Sequence, residues 1–230
     1  SLSDIERIEV LEGASARVFG SSAFNGAINI VTRPEADNHL RLSAEGGSFG
    51  TFGGDASLNL HSGSVSQRVS GGYTQSDGGT KNSDFKRRRA YYVGSFTSKY
   101  ADIEWQGGVS SQDYGASTFY SAKFNNQWEA TRRIITSALA NIKPFGDERL
   151  VVSSQVYWHR DVDHYQLTRG KEGAKNGENY HRTDVYGAAL NAHASWLLGK
   201  TAVGFDLRRE HILSTAYGTV LAENEWKDIH

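Results

Sequence analysis

The chain has 230 residues, 38% of them hydrophobic, and a formal net charge of -1. That is enough for one large or two small domains, and the near balance of charge argues against a nucleic-acid partner. Cysteine is absent, which excludes a disulfide scaffold, thiolate metal sites and thiol redox chemistry, while Gly 25 against Pro 2 points away from a helical enzyme.

The first element is compact. Residues 5–11, Ile-Glu-Arg-Ile-Glu-Val-Leu, read as a strand, and small residues with Gly13, Phe19 and Gly20 lead to a second strand around Gly26 to Thr32. After Pro34 the character changes, which sets a boundary between a unit at 1–34 and a second at 35–230. Methionine is absent and no leader is recognisable, so the sequence is expected to be an internal piece of a longer protein.

From residue 40 onward apolar and polar residues alternate with period two. Leu40, Leu42 and Ala44 oppose Arg41, Ser43 and Glu45; Phe52, Gly54, Ala56, Leu58 and Leu60 oppose Asp55, Ser57 and Asn59. Similar stretches follow near 64–76, 88–100, 101–112, 129–143, 148–161, 182–198 and 200–213, so about nine strands are expected, several longer than soluble sheets use. No apolar run reaches the roughly 18 residues of a spanning helix, but a transmembrane strand needs only about 9 to 11 with one apolar face. Joints near 61–65, 100–102, 144–148 and 198–201 are tight, whereas 77–87, 113–128, 162–181 and the stretch from 214 are long and polar; the joint near 46–50 is the short exception. Long loops sorted to one edge fit an up-and-down membrane barrel, and Tyr91, Tyr92, Tyr100, Trp158 and Trp196 near strand ends fit its aromatic girdles.

Several residues carry candidate chemistry. Phe119, Tyr120, Asn125 and Trp128 in one long connection, with Tyr165 and Tyr180 in another, offer stacking surface and hydrogen-bonding groups for a large ligand. Arg87, Arg88 and Arg89 stand where a loop re-enters the wall and could meet lipopolysaccharide phosphates. His159, Asp161 and Asp163 share a strand face and form a candidate metal set, as do Asp77, Asn82 and Asp84 for calcium, although neither has a fixed scaffold or the ligand spacing of a calcium loop. No nucleophile elbow, zinc-protease helix or phosphate loop appears, and no enzyme and no cofactor are expected.

With these residues in place, the opening segment resembles the end of the plug domain of TonB-dependent outer-membrane receptors. Ile5 to Leu11, Gly13, Phe19, Gly20, Ser21, Ala23, Gly26 to Ile30 and Thr32 match the family's pattern; Glu12, Ala14 and Asn25 depart from it. The resemblance implies an all-β chain: the end of a small α/β plug domain, then a partial transmembrane antiparallel barrel of about nine of about 22 strands. It implies a protein of a Gram-negative outer membrane that imports a scarce large nutrient, such as a ferric siderophore, haem or a corrinoid, with TonB as energising partner and lipid and lipopolysaccharide around it. Arg7 matches a position where the family pairs an arginine with barrel-wall carboxylates, with Glu6, Glu9 and Arg17 as further plug to barrel interface candidates. A passive porin or adhesin, or a soluble β-sandwich binding carbohydrate, are the alternatives from other classes.

Overall fold

The computed structural model describes residues 5, 7–12, 26–31, 37–197 and 199–215. Glu6 and Arg17 lie outside them. A hairpin of β1 (Arg7–Glu12) and β2 (Gly26–Val31) pairs Arg7 with Val31 and Glu12 with Gly26. A separate nine-stranded antiparallel meander runs through β3 (His39–Gly46), β4 (Phe52–Ser62), β5 (Val65–Ser76), β6 (Phe85–Thr97), β7 (Ala101–Ser117), β8 (Gln127–Ile142), β9 (Leu150–Gln166), β10 (Glu178–Trp196) and β11 (Gly199–Ser214). Among the described residues no helix is long and apolar enough to cross a membrane.

Register turns the period-two pattern into two continuous faces. Leu40 stands opposite Leu58, which stands opposite Val69 and then Tyr92; Arg41, Ser57, Ser70 and Tyr91 form the neighbouring row on the other side. Burial is inverted relative to a water-soluble sheet: Leu40 is 63% and Leu60 50% exposed, whereas Asn59 and Arg68 are almost completely buried. Leu58 is likewise exposed, so no second apolar layer among the described residues covers this face and the β-sandwich alternative is excluded.

The hairpin identifies the polar face as the inner one. Ile5 and Ile30 close a hollow of about 400 Å³ against Arg89, Tyr91, Gln106 and Arg133, and Ile30 and Val31 line a second one with Glu104, Ser137 and Gln155. The apolar face therefore points outward, to lipid. On β10 the outward residues from Tyr186 to Trp196 are Ala188, Leu190, Ala192 and Ala194. At about 3.3 Å per residue and a tilt of about 40° that span rises about 25 Å, the height of an outer-membrane apolar band. Outward-facing charges of the described strands, among them Lys86, Arg88, Arg132, Arg160, Arg182 and Asp184, are confined to the other side of that band, toward the edge that carries the long loops.

The loops sort by edge as expected. Segments 47–51, 77–84, 118–126 and 167–177 share one edge, and the turns 63–64, 98–100 and 143–149, with Leu197 after β10, share the other. The strands run further than their alternation suggests. β7 continues to Ser117, β8 starts at Gln127, β9 reaches Gln166 and β10 starts at Glu178, so Trp128, Tyr165 and Tyr180 lie on strands and not in connections. Beyond the bilayer both strand faces are polar, so the ladder goes on where the hydropathy signal stops. Of the expected girdle aromatics, Tyr92, Trp158 and Trp196 face outward and Tyr100 sits exposed in a turn, but Tyr91 faces inward and its hydroxyl donates to Gln106. Trp105 covers Gly94 on the adjacent strand so closely that a Cβ there would meet the indole, and its Nε1 donates to the Tyr92 hydroxyl at 3.1 Å.

Candidate functional site

At the outer ends of β8 to β11 two successive inward rows converge. Glu129 stands opposite Tyr165, which stands opposite Asn179; one step toward the bilayer Thr131, Asp163, His181 and Ser214 form the next row. All of these except Thr131, with Tyr120 from segment 118–126 and Thr215, enclose an open hollow of about 470 Å³. Its charged lining is Glu129 and Asp163, with no lysine or arginine among the described residues.

The polar groups there are arranged to accept. The Tyr120 hydroxyl donates to Glu129 and lies 3.2 Å from that of Tyr114. Burial, then the hydrogen bond to Glu129, push the Tyr120 phenol up to about 12, so it stays protonated and keeps donating. His181 Nδ1 meets Ser214 Oγ at 2.6 Å. Asp163 Oδ1 is buried, and burial, then the neighbouring Glu129 carboxylate, push the Asp163 carboxyl up to about 7, so near neutral pH the two acids hold a proton between them for part of the time. Phe119 packs edge-on against Tyr120 with centroids 4.9 Å apart, and Tyr120 in turn against Tyr165 at 5.6 Å.

This rim is held by cross-loop hydrogen bonds. Gln127, 1% exposed, donates from Nε2 to the carbonyls of Phe124 at 2.8 Å and Ser117 at 3.1 Å, and accepts from the Tyr165 hydroxyl at 2.5 Å. Asn82 donates from Nδ2 to the Gln127 carbonyl at 2.6 Å, and Arg169 donates to both carboxylate oxygens of Asp84 at 2.6 and 2.9 Å and to Asn82 Oδ1 at 3.1 Å. Three loops are thereby tied together. The Arg169 guanidinium holds the Asp84 carboxyl below the usual aspartate range despite some burial.

The structure sorts the residues singled out from sequence. Phe119, Tyr120 and Tyr165 come together at the hollow. Asn125 lies in the same loop, its carbonyl 3.4 Å from Asn82 Nδ2. Trp128 and Tyr180 stand on the outward face, on either side of His164, with centroid separations of 5.1 and 4.0 Å. Beside them Glu178 is buried under segment 167–177, where the Gly173 amide donates to it at 2.5 Å. Arg87 and Arg89 face inward, Arg87 donating to Gln112 at 3.1 Å and Arg89 paired with Asp55, so of the three arginines Arg88 alone faces outward, over the Tyr73 ring. His159, Asp161 and Asp163 share the inner face without converging: His159 stacks on Tyr157, Asp161 pairs with Arg133, and Asp163 lines the hollow. Asn82 and Asp84 are engaged by Arg169, and among the described residues no group of three or more metal-ligating side chains is assembled. Arg7 donates to Glu9 at 2.7 Å within the hairpin. Glu129, Asn179, His181, Ser214 and Thr215 were not singled out from sequence; they meet only through register across four strands, which no single segment encodes.

The geometry defines a class, a barrel wall of outer-membrane type with a hairpin on its lumen side and a polar hollow at its outer rim. No family model matches the chain. A curated vitamin B12 transporter of Photobacterium profundum is 27% identical over 202 residues, which cover 74% of this chain and 33% of that protein. Among solved structures, the ferric-catecholate import receptor Fiu of E. coli K12 superposes with TM-score 0.73 at 15% identity, covering 91% of this chain and 40% of that one. The pyoverdine receptor FpvA of Pseudomonas aeruginosa PAO1 does so at 0.72 and 16%, covering 97% and 38%. The copper transporter OprC does so at 0.71 and 18%, covering 92% and 34%. These proteins are transporters and receptors, not enzymes. The chain has the fold of a TonB-dependent outer-membrane receptor and spans about a third of the length of the relatives it matches.

Proposed function

We propose that this chain forms the plug end (1–34) and the first barrel strands (35–230) of a receptor that binds a large nutrient outside the cell and imports it with energy from TonB, and that the nutrient is rich in hydrogen-bond donors and carries no net negative charge. The hollow at the outer rim carries this reading. Its two carboxylates, amide, imidazole and hydroxyls, with no lysine or arginine in the described lining, match amide N–H groups or a cationic centre and oppose an anionic ferric chelate. A corrinoid, ringed with amides, has that chemistry. The 27% identical vitamin B12 transporter supports the same choice. A passive porin is disfavoured by the hairpin seated on the lumen face, where it narrows the channel.

Titration of the intact receptor with cyanocobalamin, and separately with a ferric tris-catecholate, tests the cargo. Saturable binding of the corrinoid, weakened about tenfold by Glu129→Gln through loss of a charge-assisted acceptor, is expected. Tighter binding of the catecholate would overturn the assignment.

A further inference from the structure

The two acids of the hollow have unequal surroundings. Glu129 on β8 and Asp163 on β9 are diagonal neighbours on the inward face, because Glu129 stands opposite Tyr165 and Asp163 opposite Thr131 one step below. Side chains at a cross-strand diagonal reach each other, and like charges placed together repel. Glu129 has a donor of its own, the Tyr120 hydroxyl. Asp163 has none at Oδ1, which is buried and which no N–H or hydroxyl of the described residues reaches. The donors around it are engaged elsewhere: Tyr165 donates to Gln127 Oε1 at 2.5 Å, Tyr114 lies 3.2 Å from the Tyr120 hydroxyl, and His181 Nδ1 meets Ser214 Oγ at 2.6 Å. Cations do not compensate. One step below, Arg133 is paired with Asp161; Arg87, in the Asp163 row on β6, donates to Gln112. Among the described residues no third histidine or carboxylate completes a metal-binding group with the pair. A buried carboxyl beside a carboxylate, with no donor, keeps its proton, and the Asp163 midpoint is accordingly pushed up to about 7.

We propose that a proton and the cargo compete for this carboxyl pair, so that the receptor captures its cargo in neutral surroundings and loosens its hold in acid ones. The proposal rests on the reading of the hollow as the cargo site. A ligand rich in N–H groups supplies Asp163 with the donor that the wall withholds, but only once the proton has left, since the protonated pair has one acceptor fewer and an O–H of its own to satisfy. Binding therefore expels a proton, and by linkage the proton expels the ligand. With binding confined to the deprotonated pair, apparent affinity follows its population, which for a midpoint of about 7 falls about tenfold from pH 8 to pH 6.

Two measurements on the full-length receptor test this, the first without ligand. Infrared difference spectra of wild type against Asp163→Asn, titrated from pH 5 to 9, should show one protonated carboxyl band that disappears with a midpoint of about 7. In Glu129→Gln, which removes the repelling charge, it should disappear at lower pH. The second is calorimetric titration with cyanocobalamin at pH 6 and pH 8. Wild type should bind about tenfold more tightly at pH 8 and release a proton, whereas Asp163→Asn should bind weakly and equally at both. His181→Gln removes the other side chain of the lining whose residue type changes charge near neutral pH, and should keep the tenfold ratio. Heat-modifiable migration in gels at both pH values establishes that each barrel is folded, and the lowered midpoint of Glu129→Gln carries the test should Asp163→Asn fail to fold. No carboxyl transition above pH 6 would overturn the shared proton whether or not the corrinoid binds. A transition with equal wild-type affinity at the two pH values, or a ratio lost in His181→Gln, would overturn the competition. Corrinoid binding absent at both would overturn the cargo reading and this proposal with it.

Discussion

Replacing Gln127 by Ala removes the side chain on which the outer rim is hung. In the native rim its amide makes three short hydrogen bonds, to the carbonyls of Phe124 and Ser117 and from the Tyr165 hydroxyl, in a position only 1% exposed. At about 1 kcal/mol net for each neutral bond, the loss is about 3 kcal/mol, or about a hundredfold in a local opening equilibrium. The effect stays local because strand pairing of β8 with β9 does not depend on that side chain. Hydrogen exchange on the intact receptor reads it directly. The Phe119 amide, bonded to the Ala116 carbonyl at 2.7 Å, and the Phe124 amide, bonded to that of Ser121 at 3.3 Å, should exchange about a hundredfold faster. Amides of the β8 and β9 ladder should not change. Gln127→Glu should loosen the loop as much or more, since it keeps an acceptor for Tyr165 but aims a carboxylate at two carbonyls. If both variants exchange Phe119 and Phe124 within about threefold of wild type, the reasoning that this amide holds the rim is wrong.

Two other outcomes follow from the same geometry. Asp84 has its pKa depressed by Arg169 below the usual 3.8, so the stability this clamp adds is complete above the unfolded value and is lost as pH falls through the lower folded one. Exchange protection of segment 77–84 should therefore hold from neutral pH down to about 4 and fall below it, and Asp84→Asn should abolish that dependence; a transition near pH 6 would point to a histidine instead. Leu58 faces lipid, so Leu58→Ala should cost about 1 kcal/mol or less, because acyl chains fill the space, whereas Leu58→Arg should cost about 2–4 kcal/mol at mid-bilayer depth. Urea unfolding of the full receptor in bilayers gives both values, and an alanine cost equal to that of a soluble core leucine would contradict the lipid-facing assignment.

Period two alone gave the nine-stranded meander, because each strand crossing the bilayer must present one greasy side, and the edge-sorted loops followed from connection lengths. The same rule forbids three consecutive arginines from sharing a face, so Arg87, Arg88 and Arg89 had to divide; which one faces outward was fixed by the register that places Arg88 beside Tyr73 and Ser111. Trp128, Tyr165 and Tyr180 read as loop residues because the strand ends project past the membrane, where neither face needs to be apolar. Tyr120 and Tyr165 were singled out by residue type, and both line the hollow. Glu129 and Asp163 were not brought together by any motif, since they lie on different strands and become neighbours only when β8 and β9 pair.

The extension of the strands past the bilayer is what gives the wall two separate surfaces. Inside the band, outward positions are committed to lipid and carry no charge. Above it that constraint lapses, and the outward row Arg132, Val162 and Arg182 lies back to back with the inward row Thr131, Asp163 and His181, one residue apart on each strand. Side chains on the two rows point away from each other, so each chemistry can change without altering the other's contacts. The backbone is shared, however, and the three strands there are bonded into one ladder. A substitution that shifts register at this level, such as a proline at Val162 that removes a ladder donor, moves the hollow and the arginine row together. Cargo binding should therefore survive side-chain changes on the outward row and fail under backbone changes at the same level.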